Sequence, residues 1–156
     1  AHAGKGGLVF GVCNGFQVLC EAGLVPGALL HNEGQKFVAR NTFIRPVTRK
    51  TTLTSPVPDK ALKIPIAHGE GRFHADAATL KALKDNDQVL FRYCDAEGRF
   101  TDEANPNGSK ENIAGVCNKA RNVFGMMPHP ERAADPRLGN TDGVSLFNSL
   151  LQAVLA

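Results

Sequence analysis

The stretch GLVFGVCNGFQVLCEAG, Gly7 to Gly23, constrains the fold more than any other part of the chain. Leu8 to Val12 is a continuous apolar run of strand length, the pattern of a strand buried on both faces. Phe16, Val18, Leu19 and Ala22 follow at helical spacing, and Gly23 supplies a helix stop. A strand that passes straight into a helix is half of a βαβ unit, which predicts an α/β sheet. At the junction stands Cys13, in Gly11-Val12-Cys13-Asn14-Gly15. This is the spacing of a nucleophile elbow, G-x-S-x-G, with a thiol in place of the hydroxyl. An elbow holds its nucleophile in a strained backbone conformation, and side chains two residues either way are expected to collide with neighbouring elements. The turn aims the thiol at a helix N-terminus, whose free N–H groups and dipole favour thiolate. The N–H of Asn14 is then placed to donate to an oxyanion. A buried structural cysteine in a glycine-rich strand has the same spacing, so the motif alone leaves both readings open.

The remaining pattern extends the α/β reading over one domain, residues 1–156, long enough for a sizeable core. Residues 36–48 alternate as a strand that Pro46 ends or places near an edge. Asp76 is suited to cap a short helix carrying Ala77, Leu80 and Leu83. QVLFRYC reads as a strand with Val89, Phe91 and Tyr93 on one face. NPNGSKEN is a turn-rich loop, followed by IAGVCN and NVFGMM as a hairpin around Lys119–Arg121. Val144, Phe147, Leu150, Leu151 and Val154 form an apolar stripe on a closing helix started by Thr141 or Asp142.

Charge and composition exclude some classes of function. A formal net charge of +3, with scattered basic residues, gives no nucleic-acid footprint. The one locally basic stretch, RKTTLTSPVPDK, reads as a solvated loop. No apolar run approaches the ~20 residues of a membrane span, and AHAGKGG lacks the apolar core of a signal peptide. Cysteines at 13, 20, 94 and 117 form no C-x-x-C pair, which fits reduced thiols in a cytoplasmic protein. Cys20 reads as core, and Cys94 and Cys117 as structural.

A nucleophilic thiol needs a base, and the base needs an orienting group. GMMPHPER offers both: His129 stands between two prolines that stiffen its backbone, and Glu131 follows two residues on. In an extended segment those two side chains point the same way, so Glu131 can hold the imidazole in its proton-accepting tautomer. A plain surface Pro-His-Pro turn is the competing reading. IAHGEGRFH gathers His68, Glu70 and His74, but without H-E-x-x-H or Cys-pair spacing for a metal. A glycine loop whose backbone approaches a ligand, or an ordinary surface loop, fits it better.

Taken together, GVCNGFQVLCEAGLVPGALLHNEGQKF, IPIAHGEGRFHAD, VLFRYCD, NPNGSKENIAGVCN and GMMPHPERA make the chain resemble the class I (triad) glutamine amidotransferases. Within them it most resembles the glutaminase subunits of phosphoribosylformylglycinamidine synthase. The likeness runs over roughly residues 5 to 150, and GVCNGFQ combined with MMPHPER is its specific part. The resemblance implies a three-layer, flavodoxin-like open sheet with helices on both faces. It implies Cys13 as nucleophile, His129 as acid/base, Glu131 as its orienting carboxylate, and Gln17, His68 and Gly69 around the glutamine pocket. Ammonia would pass to a synthetase subunit that amidates formylglycinamide ribonucleotide with ATP and Mg, with a third small subunit as a further partner. No cofactor is then expected in this chain itself.

The family pattern also places several dozen residues before the elbow strand, including the first sheet strands and a PGG-type loop with a second oxyanion N–H. Here only AHAGKGG precedes the strand, so the resemblance predicts an N-terminally incomplete domain with apolar edge exposed beside the elbow. Two other functions stay open at this stage. One is a stand-alone γ-glutamyl cysteine hydrolase, the other a non-catalytic regulatory or binding module on the same fold.

Overall fold

The structure, a computed structural model, describes residues 1–155. In chain order its main elements are β1 (Val9–Val12), α1 (Asn14–Glu21), β2 (Ala28–His31), β3 (Val38–Pro46), β4 (Leu62–His68), β5 (Glu70–His74), α2 (Ala77–Asp85), β6 (Val89–Cys94), β7 (Ile113–Cys117), β8 (Val123–Met126) and α3 (Val144–Leu155). Six strands form one sheet in the order β1-β8-β7-β6-β3-β4, while β2 and β5 pair separately. β1 and β8 run parallel, with Val12 opposite Met126. The other neighbours in the main sheet are antiparallel. The sheet curls far enough for its outer strand β4 to meet the segment after β8, where the His129 N–H donates to the Pro65 carbonyl at 2.8 Å.

Two apolar layers flank this sheet. On one side α3, through buried Leu146, joins Ile44, Leu62, Ile64, Tyr93, Phe124 and Met126. On the other, α1 and α2 contribute Phe16, Leu19 and Leu83 against Val89, Val116, Val123 and Met127. The fold is therefore α/β with helices on both faces, as expected. Close packing of α1 depends on missing side chains. A Cβ on Gly125 would lie 2.2 Å from the Phe16 ring, which also stacks on Phe73 with centroids 6.1 Å apart.

Several sequence expectations hold. Asp76 caps α2 by accepting the Thr79 N–H at 2.7 Å, Pro46 ends β3, and β7 and β8 form the hairpin. Others are corrected. Residues 49–60 are no solvated loop, since Leu53 and Val57 are fully buried in the core. The apolar stripe there was masked by its basic neighbours. Val89 faces the α1 side while Phe91 and Tyr93 face the α3 side, because a register shift between Val89 and Phe91 breaks the alternation. Val18, at 55% exposure, lies off the buried face of α1, which runs through Phe16, Leu19 and the half-buried Cys20.

α3 is rotated relative to the predicted stripe. It buries Leu146 and Ser149, and leaves Phe147, Leu151 and Val154 exposed. Neither Thr141 nor Asp142 caps its first turn with a side chain: the Thr141 carbonyl takes the Val144 N–H, and the Asp142 carboxylate accepts from the Lys63 N–H. Gly143 fixes the entry, donating its N–H to the Ala133 carbonyl at 2.7 Å. Any Cβ on Gly143 would sit 2.2 Å from the Pro130 carbonyl oxygen.

Candidate active site

The site lies at the C-terminal ends of the parallel pair β1 and β8, where open α/β sheets present their ligands. Cys13 leaves β1 with φ 53° and ψ −109° as the N-cap of α1. A non-glycine residue rarely adopts that conformation, and it costs on the order of 1–3 kcal/mol. Cys13 is held in it by its own N–H donating to the Met126 carbonyl at 2.9 Å and by its carbonyl accepting from Phe16 and Gln17. Gly11 is sterically required, because its Cβ would fall 2.8 Å from the backbone of Gly15. Gly15 is not, since a Cβ there would meet no atom within 4 Å. The expected collision thus applies to one of the two elbow glycines. The other looks into open space beside the sulfur-bearing turn.

The thiol's electrostatics also differ from the sequence expectation. Burial pushes the Cys13 thiol above its ordinary range, and the Glu131 carboxylate adds to the rise. The Asn14 N–H and the Arg132 guanidinium pull the other way without overcoming burial. The resting group is a thiol whose proton must be taken by a base, and the helix terminus only moderates that cost. Its sulfur faces the Ala67 carbonyl at 3.8 Å. Cys20 is pushed up to about 12 by burial, and Cys94 and Cys117 to about 11.

His129 follows β8 and caps a 3₁₀ turn over Pro130–Ala133. Its Nδ1 meets the Glu131 carboxylate at 2.6 Å. The contact expected from an extended segment is therefore made by a 3₁₀ turn, which swings Glu131 back onto the ring. A carboxylate only accepts, so the assigned tautomer carries its proton on Nδ1 and leaves the lone pair on Nε2. That Nε2 is buried and has no hydrogen-bond partner. Buried polar nitrogens are almost always satisfied, so a vacant lone pair beside a cysteine suits a base awaiting its substrate. The histidine's backbone is fixed by β4 through Pro65, and the turn behind it is braced by Gly143.

The glycine loop links β4 to β5 at Gly69, whose carbonyl accepts from the Asn32 N–H at 2.9 Å. The His68 ring turns into the protein. Its Nδ1 donates to Asn32 Oδ1 at 3.0 Å, and Nε2 faces Asn107 Nδ2 at 3.5 Å. Gly71 leaves room for the ring, since a Cβ there would lie 2.4 Å from it. Burial and the nearby His129 lower the His68 pKa to about 4, so the ring is neutral. Asn32 and Asn107, with Ser109, form a buried polar brace that the sequence reading did not single out. The only sequence signal was an excess of Asn in two loops. Gln17 lies one turn beyond Cys13 on α1, and its Nε2 donates to the Glu70 carboxylate at 3.1 Å. Among the described residues no group of three or more His, Cys, Asp and Glu side chains is placed to share a metal ion. Among them no helix is long and apolar enough to cross a membrane.

The elbow, the proline-framed histidine and the glycine loop have counterparts in known proteins. Residues 2–142 match the family model of the CobB/CobQ-like glutamine amidotransferase domain. The phosphoribosylformylglycinamidine synthase subunit PurQ of Acaryochloris marina is 52% identical over 157 aligned positions, covering 100% of this chain and 67% of its own length. The subunit of the same name from Koribacter versatilis is 53% identical, covering 97% of this chain and 66% of that protein. Among solved structures, a chain of PurLQS from Thermotoga maritima superposes with a TM-score of 0.81 at 38% identity, over 97% of this chain and 64% of that one. The chain thus spans about two thirds of the length of the relatives it matches. Likeness of this extent, over nearly every residue described, places the chain in the CobB/CobQ-like glutamine amidotransferase family, alongside the PurQ subunits of phosphoribosylformylglycinamidine synthase.

Proposed function

We propose that the chain is a glutaminase: it hydrolyses the side-chain amide of glutamine and hands the ammonia to a synthetase partner. The observation that carries the reading is the pairing of a strained elbow cysteine with a histidine whose Nδ1 is fixed by Glu131 and whose buried Nε2 is vacant. His129 Nε2 takes the thiol proton as Cys13 Sγ attacks the amide carbon. The carbonyl oxygen becomes an oxyanion, and the Asn14 N–H is its donor at the head of α1. The imidazolium, steadied by Glu131, returns its proton to the leaving nitrogen, so that the C–N bond breaks and ammonia departs. A γ-glutamyl thioester remains on Cys13. Water then loses a proton to His129 and attacks the thioester carbonyl, releasing glutamate and restoring the thiol.

By analogy with the named relatives, the partner is the synthetase subunit of phosphoribosylformylglycinamidine synthase, with a third small subunit in the assembly. It converts formylglycinamide ribonucleotide to formylglycinamidine ribonucleotide in purine synthesis. The reading assigns ATP and magnesium to that partner, and the cytoplasm as the place of action. Glutamate release from glutamine, measured for the chain alone and with the synthetase subunit, tests it. Cys13→Ala should abolish release in both settings. Release that survives in Cys13→Ala would refute the assignment.

A further inference from the structure

Glu70 opens β5 directly after the glycine loop, half exposed at the mouth of the site. One carboxylate oxygen accepts from Gln17 Nε2 at 3.1 Å, and the other lies 3.3 Å from His31 Nε2. Among the described residues no lysine or arginine is within ion-pair distance of it, although every other salt-bridged carboxylate has such a partner. Its negative charge therefore lacks a permanent counter-ion. A carboxylate offers about four lone-pair sites, so two contacts leave room for another donor.

The distances along α1 say what that donor is. Cys13 and Gln17 are four residues apart and share a helix face, about 6 Å along the axis at 1.5 Å per residue. A glutamine whose amide carbon sits on the sulfur carries its α-carbon three C–C bonds further out. At about 1.5 Å per bond, its ammonium group lies roughly 5 Å from the reacting carbon. The amino-acid head therefore comes level with the Gln17–Glu70 pair.

Resting on the glutaminase reading above, we propose that Glu70 accepts the α-ammonium group of the substrate, with Gln17 clipping the carboxylate in position. Glu70 is then a specificity residue: it selects a free amino acid over a carboxamide that lacks the amino group. It takes no part in the bond-breaking steps at Cys13.

The test compares two alkylating probes at Cys13, read by intact mass. One is the side-chain diazomethyl ketone of L-glutamate, and the other is the same molecule without its α-amino group. In the native protein the amino-bearing probe should react about tenfold to a hundredfold faster, as expected for a charge-assisted hydrogen bond, and glutamine should protect. In Glu70→Gln the ratio should fall close to one. Glu70→Asp, which keeps the charge but withdraws it by one methylene, should give an intermediate ratio. Protection by glutamine together with an unchanged ratio in Glu70→Gln would overturn the assignment of Glu70 alone. Equal rates for both probes and no protection in the native protein would overturn the glutaminase reading, and this proposal with it.

Discussion

Replacing each elbow glycine by alanine separates two roles that the motif merges. At Gly11 the new methyl group would lie 2.6 Å from Leu19 Cδ1 and 2.8 Å from the Gly15 carbonyl carbon and oxygen. Leu19 can rotate, but the Gly15 contact is backbone. Since carbon contacts relax only near 3.5–4.0 Å, α1 must back away by about 0.7 Å or more. It cannot slide freely, because Phe16 is seated on Gly125 and stacked on Phe73. Overpacking of this kind costs about 1–3 kcal/mol, which for a chain of this size lowers Tm by roughly 2–12 °C. Gly15 lies inside α1, has no neighbour within 4 Å of its would-be Cβ and has no positive φ. Gly15→Ala should therefore be neutral or stabilising by up to about 1 kcal/mol, because the unfolded chain loses freedom. Thermal and guanidinium unfolding, monitored by circular dichroism, measure both. Equal destabilisation by the two substitutions would refute the claim that only Gly11 is held by packing.

Three further outcomes follow from the same geometry. His68 titrates at about 4 in the folded chain against an ordinary 6.5, so between those values the unfolded state binds the extra proton. Stability should therefore fall as pH drops from about 6.5 to about 4, by at most ~3 kcal/mol, and His68→Gln should flatten that limb; an unchanged pH profile would count against it. Gly143→Ala drives a methyl group into the Pro130 carbonyl and should shift the 3₁₀ turn that presents Glu131. Glutamine-protected labelling of Cys13 should then slow more than Tm falls, and a loss of Tm without slower labelling would contradict it. In alkylation timed by peptide mapping, Cys13 should react ahead of Cys20, Cys94 and Cys117, whose thiols burial holds near 11–12; prior labelling of any of the three would contradict the site.

What was legible in the sequence was local. Leu8–Val12 running into Phe16 and Leu19 announced strand and helix, and G-x-C-x-G and Pro-His-Pro-Glu announced a thiol and a base. What was not legible depended on which elements meet. The stripe on α3 could not reveal which side the sheet would occupy, because Leu146 and Ser149 share the helix with Phe147 and Leu151. Leu53 and Val57 were hidden among basic residues, and only the curl of the sheet explains their burial. The thiol's raised pKa reflects burial, which no motif encodes, and it outweighs the helix-terminus effect that the motif does encode. The link between Glu70 and Gln17 spans 53 positions and exists only because Gly69 hands the chain from one sheet to the other.

The central claim is a covalent glutamyl intermediate on Cys13, and acid-quenched peptide mass analysis of the protein turning over glutamine tests it most directly. The account predicts a hydroxylamine-labile glutamyl group on the peptide containing Cys13, accumulating during turnover and absent from Cys13→Ala. Glutamate formation with no such group on that peptide, and continuing in Cys13→Ala, would contradict it.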